Sequence, residues 1–423
     1  MKRLLLIFVL LLTGAALYHE KAKVAPLLRA EATTVTQEPS IGSLQELAEA
    51  EKRLAEFGGL LLPETMYVVA GRPRDIFFQN IVPVKDPEVF EYHLTGDTAG
   101  ISMRRRSLHI ALPADAEGIR NITLQATEPK GREVVTSTVK LVIVPKDAGQ
   151  DKKITVLLVG DSLGHQSQFP NALYRLLQQP GNPEATFVGT NHPTGSLVAH
   201  EQYGGWTYKD FISLYNADLK THYRDRSPFM FAPEKEGGAP QFDVKRYLDH
   251  DLKGARPDFV HIQLGTNDAF MLKPDDPDFE QSIDQILADA DTLIAGIRKA
   301  LPHAVISVGT VIPSNASDRA FVESYPNYVP LQSEWRWRQV QLKLAARGLK
   351  HFAHQESEGV FMVPTHATID TIDGYSAHSF VPWHETYTLA QAVHPTPIGD
   401  EQIAEPIYAG MKAWLAGFNH GQP

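Results

Sequence analysis

Three short stretches of this chain place a reactive or donor group beside glycine, and a fourth places a histidine before proline. Gly160-Asp161-Ser162-Leu163 follows an apolar run at 154–159. A serine on such a strand-to-helix turn presents its hydroxyl with the positive end of the next helix behind it, which suits a nucleophile that must build an oxyanion. The plainer role for Asp161 or Ser162 is to cap that helix. Gly265-Thr266-Asn267-Asp268 follows a second apolar run, and an asparagine there can aim its side-chain NH₂ at a developing negative charge or simply close a turn. Between them lies Tyr203-Gly204-Gly205-Trp206, where a glycine lets a ligand approach a backbone N–H closely, unless the stretch is an ordinary loop. Near the C-terminus, AQAVHPTPIG (residues 390–399) holds His394 with two prolines close behind it and no carboxylate. An imidazole that moves protons must be oriented by a partner, and nothing acidic in that stretch does so.

The elements that must position these residues are legible from periodicity. Runs at 154–159, 186–189, 259–264, 305–310 and 360–363 read as strands. Ile283, Ile286, Leu287, Leu293, Ile294, Ile297 and Leu301 repeat at helical spacing between the third and fourth, and Ile403, Ile407, Met411 and Leu415 mark a last helix after His394. Alternation of this kind predicts an α/β fold with a parallel sheet covered on both faces, whose sites lie at the carboxyl ends of the strands. Upstream the period changes to two: Leu108, Ile110 and Leu112, then Ile122 and Leu124, with turns at Thr95-Gly96-Asp97 and Pro129-Lys130-Gly131. That pattern predicts a small antiparallel β-sandwich over 60–147, joined by the polar linker Pro145–Asp151 to an α/β domain over 152–418.

Composition narrows the classes. The 423 residues are 43% apolar and 21% charged, which is globular, and the net charge of −10 disfavours nucleic acid or anionic lipid as a partner. Arg104-Arg105-Arg106 reads as a solvated strand edge. With no cysteine there is neither a disulfide nor thiolate chemistry. MKRLLLIFVLLLTGAAL has the two cations, short apolar run and small residues of a secretory signal over 1–16, so the expectation is a periplasmic or secreted protein with no stable membrane span once it is cleaved, with an uncleaved membrane anchor as the alternative. Residues 17–59 read as a polar linker and a short helix opened by Ser43-Leu44-Gln45-Glu46 and stopped at Gly58-Gly59. Asp275, Asp276 and Asp278 lack the glycine and glutamate of a calcium loop, so no metal is expected.

Together the four stretches resemble the blocks of the SGNH hydrolases, also called the GDSL family, over about residues 152–418. Ser162 matches the family nucleophile, Gly205 the block-two glycine, Asn267 the block-three asparagine and His394 the catalytic histidine. The resemblance implies a flavodoxin-like sheet of about five parallel strands. It also implies a serine esterase without cofactor, in which His394 takes the Ser162 proton and an oxyanion hole is formed by the N–H groups of Ser162 and Gly205 and the Asn267 side chain. The segments 200–211 (HEQYGGWTYKDF), Ser227-Pro228-Phe229 and Gln241-Phe242-Asp243 look like those of bacterial extracytoplasmic esterases that carry an N-terminal β-sandwich and remove acetyl groups from polysaccharides. Trp206, beside the oxyanion glycine, is then a candidate sugar platform, with burial in the core as the alternative. So is the Trp335-Arg336-Trp337-Arg338 run a candidate cleft lining, with partial burial on a helix as the duller account.

One departure stands out. Most of the family has an aspartate three residues before the histidine, where this chain has Gln391. A glutamine oxygen can accept the Nδ1–H bond but cannot stabilise an imidazolium as a carboxylate does. Gln391, a backbone carbonyl, or an acid from elsewhere such as Asp373 or Glu385 must orient the ring. The expected partner is an acylated carbohydrate; a lipase or lysophospholipase, a sugar O-acetyltransferase, or a catalytically silent glycan-binding protein are the alternatives.

Overall fold

Strands rich in Val, Ile and Leu that bury side chains on both faces must lie in a covered sheet, and four of the five runs above do so, the run at 186–189 having no buried residue. The computed structural model describes residues 41–418 except 130, 218–225, 234, 236, 377–378, 381–386 and 389–390, and at 41–44, 379–380 and 387–388 the backbone alone. The expected leader, residues 17–40 and Glu385 therefore lie outside the described residues.

The N-terminal region carries β1 (Thr65–Val69), β2 (Arg74–Phe77), β3 (Glu91–Gly96), β4 (Ile101–Met103), β5 (Ser107–Ile110), β6 (Gly118–Thr127) and β7 (Glu133–Val144). They form a four-stranded sheet in the order β1-β7-β6-β3 and a three-stranded sheet in the order β2-β5-β4. Period-two burial closes a separate core between them, with Ile76, Ile110, Leu124 and Leu141 inside. The pairing is antiparallel except at one edge, where β1 runs parallel to β7. Val69 and Val144, at the ends of that pair, are buried in the core of the α/β layer instead.

The α/β layer follows with β8 (Lys153–Gly160), β9 (Glu184–Val188), β10 (Glu201–Gln202), β11 (Met230–Phe231), β12 (Gln241–Phe242), β13 (Phe259–Gln263), β14 (Val305–Gly309) and β15 (Val360–Val363). Strands β8, β13, β14 and β15 are consecutive and parallel. Both β9 and β10 lie along the free edge of β8, β9 beside its first half and β10 beside Val159 and Gly160. This is the flavodoxin-like order, with the switch point between β8 and β13. Helices flank the sheet in two groups: Gln168–Leu177 packs on Pro397–Leu415, while Tyr208–Ser213, Val244–His250 and Glu334–His351 pack on Phe279–Ala300. The predicted 283–301 stripe is the buried face of Phe279–Ala300.

The described residues from Gln45 onward make one compact unit, and the seam between the two layers is polar. Arg338 is 5% exposed and donates to the carbonyls of Lys85, Gln79 and Val84 at 3.0, 2.9 and 3.0 Å. Trp337 beside it is fully buried, so the Trp-Arg-Trp-Arg run lines no cleft at that position. His366 donates from Nε2 to the Leu61 carbonyl (3.0 Å) and accepts at Nδ1 from Thr310 (2.8 Å); burial pushes its pKa down to about 4, keeping the ring neutral. Asn80 donates to the Ile369 carbonyl at 2.7 Å, and Arg74 meets Glu405 at 3.0 Å in the interior.

Three readings change. The linker Pro145–Asp151 is a series of turns fastened to the last helix: Lys412 donates to the Lys146 carbonyl at 2.9 Å, and a Cβ on Gly149 would stand 2.7 Å from Leu415. Of the three consecutive arginines, Arg104 and Arg105 are exposed and pair with Asp75 and Glu88, whereas Arg106 reaches across the seam to Asp370. The first helix spans Ile41–Phe57, so it starts two residues before the expected cap at Ser43 and ends where Gly58 and Gly59 take positive φ.

Replacing Arg338 with alanine leaves three seam carbonyls without their donor, that of Val84 buried and the other two partly so, at a cost of about 2–3 kcal/mol. Urea unfolding is expected to show that loss as a single transition in which tryptophan fluorescence and far-UV circular dichroism still coincide.

Candidate active site

The register of three neighbouring strands brings three of the four sequence blocks to one edge. Gly160 pairs with Gln263 of β13 on one side and with Gln202 of β10 on the other. The turns that follow each strand therefore emerge together, carrying Ser162, Asn267 and Gly205. A Cβ on Gly160 would stand 2.8 Å from the Gln263 carbonyl, so the strands close here only around glycine.

Asp161 is the cap: its Oδ1 accepts the Leu163 amide at 3.0 Å, and burial pushes the carboxyl up to about 7. Ser162 is the first residue of the helix Ser162–His165 and half-buried. As such its amide has no carbonyl one turn back to bind. The turn rests on β10, because a Cβ on Gly164 would collide with the Gln202 side chain. Strand β10 in turn is held by Glu201, whose buried carboxylate accepts the Tyr247 hydroxyl (2.6 Å), the Thr190 amide (2.5 Å) and the Tyr203 hydroxyl.

Gly205 has φ +85°, which favours glycine, and a Cβ there would meet nothing within 4 Å, so the residue faces open space. Among the described residues its amide donates to no protein acceptor. Asn267 Nδ2 donates one hydrogen to the Trp206 carbonyl at 3.0 Å, tying the two turns together and leaving its second hydrogen for another acceptor. Asp268 fastens the same junction: its carboxylate accepts the Gly265 amide at 3.2 Å and the Tyr208 amide at 2.9 Å. Trp206 is not a sugar platform. It is 3% exposed, packed against Tyr203 and Phe211 with ring centroids 4.5 and 4.9 Å away, and it anchors the Gly205 loop from below.

His394 comes from the far side, in the loop before Pro397–Leu415. Its Nε2 lies 3.0 Å from the Ser162 hydroxyl oxygen. The ring is open to solvent, yet protein atoms crowd its surroundings, and that partial loss of water lowers its pKa below the ordinary 6.5. The neutral form, with Nε2 free to accept a proton, is therefore favoured at neutral pH. Both sides of the loop are pinned. Before the histidine, Asn315 donates its backbone N–H to the Ala392 carbonyl (2.8 Å) and its side-chain NH₂ to the Gln391 carbonyl (3.2 Å). After it, the Thr396 amide and hydroxyl donate to the Gly374 carbonyl at 2.9 and 3.1 Å.

The three candidates for orienting the ring fare differently. Gln391 is exposed, and its recorded hydrogen bonds are made by its main chain to Ser376 and Asn315. The Asp373 carboxylate turns to Arg106 at 3.3 Å, and Glu385 lies outside the described residues. Among the described residues, the Ser162 contact is the one hydrogen bond recorded for the His394 ring.

A second serine–histidine pair escaped the sequence reading, since no motif marks residues 33 positions apart. Ser167 and His200 are both fully buried, with Oγ and Nε2 2.8 Å apart. His200 Nδ1 accepts the Gln202 amide at 3.2 Å, so the proton sits on Nε2 and points at the Ser167 oxygen. Burial holds its pKa down to about 3. That polarity is opposite to a general base, and the pair is structural.

Serine, histidine and unfilled donors at the switch point of a flavodoxin-like sheet define a serine hydrolase architecture. The model of the family described as GDSL-like lipase/acylhydrolase matches residues 156–407, and the chain belongs to that family, which makes it a carboxylic ester hydrolase. No curated protein sequence matches the chain. Among solved structures it is similar to a family 3 carbohydrate esterase from Clostridium thermocellum (18% identity, 63% of this chain and 98% of that one, TM-score 0.38). It is also similar to a possible lipase from Chitinophaga pinensis (15%, 63% and 99%, 0.35) and an acetylxylan esterase from Geobacillus stearothermophilus (15%, 62% and 96%, 0.33). None of the three bears on what this chain acts upon.

Two outcomes follow from the geometry. Because burial lowers the His394 pKa, protonation should switch off the base only below pH 6.5, so the acid limb of kcat/KM is expected below that value. Asn267→Ala should cost roughly 10²–10³ in kcat with the protein still folded, measured on a soluble ester.

Proposed function

We propose that this protein removes short O-acyl groups, acetyl foremost, from a carbohydrate outside the cytoplasm, with Ser162 as nucleophile and His394 as general base. The observation that carries the reading is the 3.0 Å contact between Ser162 Oγ and His394 Nε2 at an open rim beside Gly205 and Asn267. As the hydroxyl attacks the ester carbonyl, its proton passes to Nε2 and the carbonyl electrons move onto oxygen. The amides of Ser162 and Gly205 and the second hydrogen of Asn267 stabilise that oxyanion. Collapse expels the sugar alkoxide, which takes the proton back from His394; water, deprotonated by the same ring, then releases the acid and frees the serine.

What supports a small acyl group on a large alcohol is the exposure of the rim: Gly205 and His394 both face solvent, so a bulky chain can lie across the site while one ester enters it. The choice of a sugar rests on the resemblance of 200–211, 227–229 and 241–243 to extracytoplasmic carbohydrate esterases. The extracytoplasmic location rests on the first 16 residues; among the described residues, no helix is long and apolar enough to cross a membrane.

Acetate release from a panel of acetylated polysaccharides tests the reading, with Ser162→Ala as the paired variant. The wild type should release acetate from at least one of them and the variant from none, and p-nitrophenyl acetate should be cleaved faster than the dodecanoate. Preference for the dodecanoate would move the substrate to lipids, and activity surviving in Ser162→Ala would remove the nucleophile.

A further inference from the structure

The N-terminal β-layer reaches the turn behind the histidine loop through a charged side chain. Arg106, which follows β4, extends across the seam and binds Asp370 in a two-pronged contact, Nη1 to Oδ1 at 3.1 Å and Nη2 to Oδ2 at 2.9 Å, with Asp373 at 3.3 Å from Nη2. Asp370 is 6% exposed and uses the same carboxylate to shape the turn, accepting the amides of Ile372 (2.9 Å) and Asp373 (3.2 Å). That turn ends at Gly374, whose carbonyl receives both the amide and the hydroxyl of Thr396, two residues beyond the catalytic candidate His394. Gly374 also packs so closely that an added Cβ would stand 2.5 Å from the Asp370 carbonyl and 3.4 Å from Gly399. From the other side, the Tyr375 hydroxyl binds the Pro313 carbonyl, and the Ala316 amide binds the Thr371 carbonyl at 2.9 Å.

The chain of contacts therefore runs from guanidinium to carboxylate, from carboxylate to turn, and from turn to the histidine loop. Each link is short and directional. A bidentate arginine–carboxylate pair fixes orientation as well as distance, which a single point charge does not. In this chain the usual aspartate before the histidine is glutamine, and among the described residues no side chain holds the Nδ1 side of the ring. Orientation of the ring then depends on the rigidity of the loop that carries it, more than in a site where a carboxylate grips the imidazole directly.

We infer that Arg106 is a positioning residue for His394, and that the β-layer serves the reaction by bracing the histidine loop through the Arg106–Asp370–Gly374–Thr396 connection. The inference rests on the reading of Ser162 and His394 given above. It assigns the β-layer a part in the chemical step, without any contact with substrate.

The test compares the full-length wild type with Arg106→Ala, Arg106→Lys, Arg105→Ala and Ser162→Ala on p-nitrophenyl acetate, following kcat and KM separately and the rate at which a fluorophosphonate labels Ser162. A displaced histidine loop should lower kcat and the labelling rate roughly tenfold to a hundredfold, with KM within about twofold. Arg106→Lys should recover part of the loss, because an ammonium meets one carboxylate oxygen but cannot bridge two. Arg105 pairs with exposed Glu88, and its alanine variant should match the wild type. A double-mutant cycle with Asp370→Asn should show the two losses failing to add, as expected for groups acting through one contact.

A folded Arg106→Ala protein with kcat within about twofold of wild type overturns the brace, as does an equal loss in Arg105→Ala. If Arg106→Ala does not fold, Arg106→Gln decides by the same thresholds. If Ser162→Ala keeps its turnover, the serine–histidine reading falls and this inference with it; if Ser162→Ala is inert while Arg106→Ala turns over normally, the brace alone falls.

Discussion

The site depends first on the way Gly160 is paired. It meets Gln263 on one side and Gln202 on the other, so the carboxyl ends of β13, β8 and β10 are level. Slip either pairing by one residue and the following turn moves by about 3.3 Å while its side chains change face. Nothing later in the chain corrects such an error, because Asn267 and Gly205 are joined to each other through the Trp206 carbonyl and move as a pair. The lack of a side chain at Gly160 permits the close approach, and the apolar residues of β8 and β13, all buried, hold the register that uses it.

Much of this was legible in advance for a physical reason. Strands of a doubly covered sheet read as unbroken apolar runs, so 154–159 and 259–264 announce themselves, and the polar residues just past them stand out as site candidates. Strand β10 does not. It is two residues long, Glu201 and Gln202, both polar and both buried, and its place in the sheet depends on the tertiary partners Thr190, Tyr203 and Tyr247. Trp206 was ambiguous for a related reason: adjacency to an exposed glycine says nothing about which way the next side chain turns. The parallel entry of β1 beside β7 is equally silent in a period-two pattern, since alternation fixes faces and not direction. Arg106 was hidden by its neighbours: three arginines in a row look alike, and only the fold separates the one that crosses the seam to a buried carboxylate from the two that pair with carboxylates of their own layer.

Where a family aspartate is missing, attention goes to the residue that replaced it. Here Gln391 is exposed, and its backbone carries the recorded contacts. The structure invests elsewhere, in Asn315 ahead of the histidine and in Thr396 and Gly374 behind it. A loop clamped at both ends restricts where an imidazole can point, which is one half of what an aspartate does. The other half, stabilising the imidazolium, has no substitute in a clamp, and the lowered pKa of His394 agrees with a ring that receives no such help.

The seam has a bearing on how such a chain can change over generations. Arg338 and His366 send their N–H groups into the carbonyls of Gln79, Val84, Lys85 and Leu61, main-chain atoms of the region in front of the catalytic layer. Main-chain acceptors are indifferent to which side chains surround them but demanding about where the backbone runs. The front region can therefore drift in sequence so long as those four oxygens keep their places and the side chains it sends across the seam, Arg74, Asn80 and Arg106, are kept. It cannot be traded for an unrelated module by recombination at the visible boundary near residue 150, because a newcomer with a different backbone course would leave a buried guanidinium facing nothing.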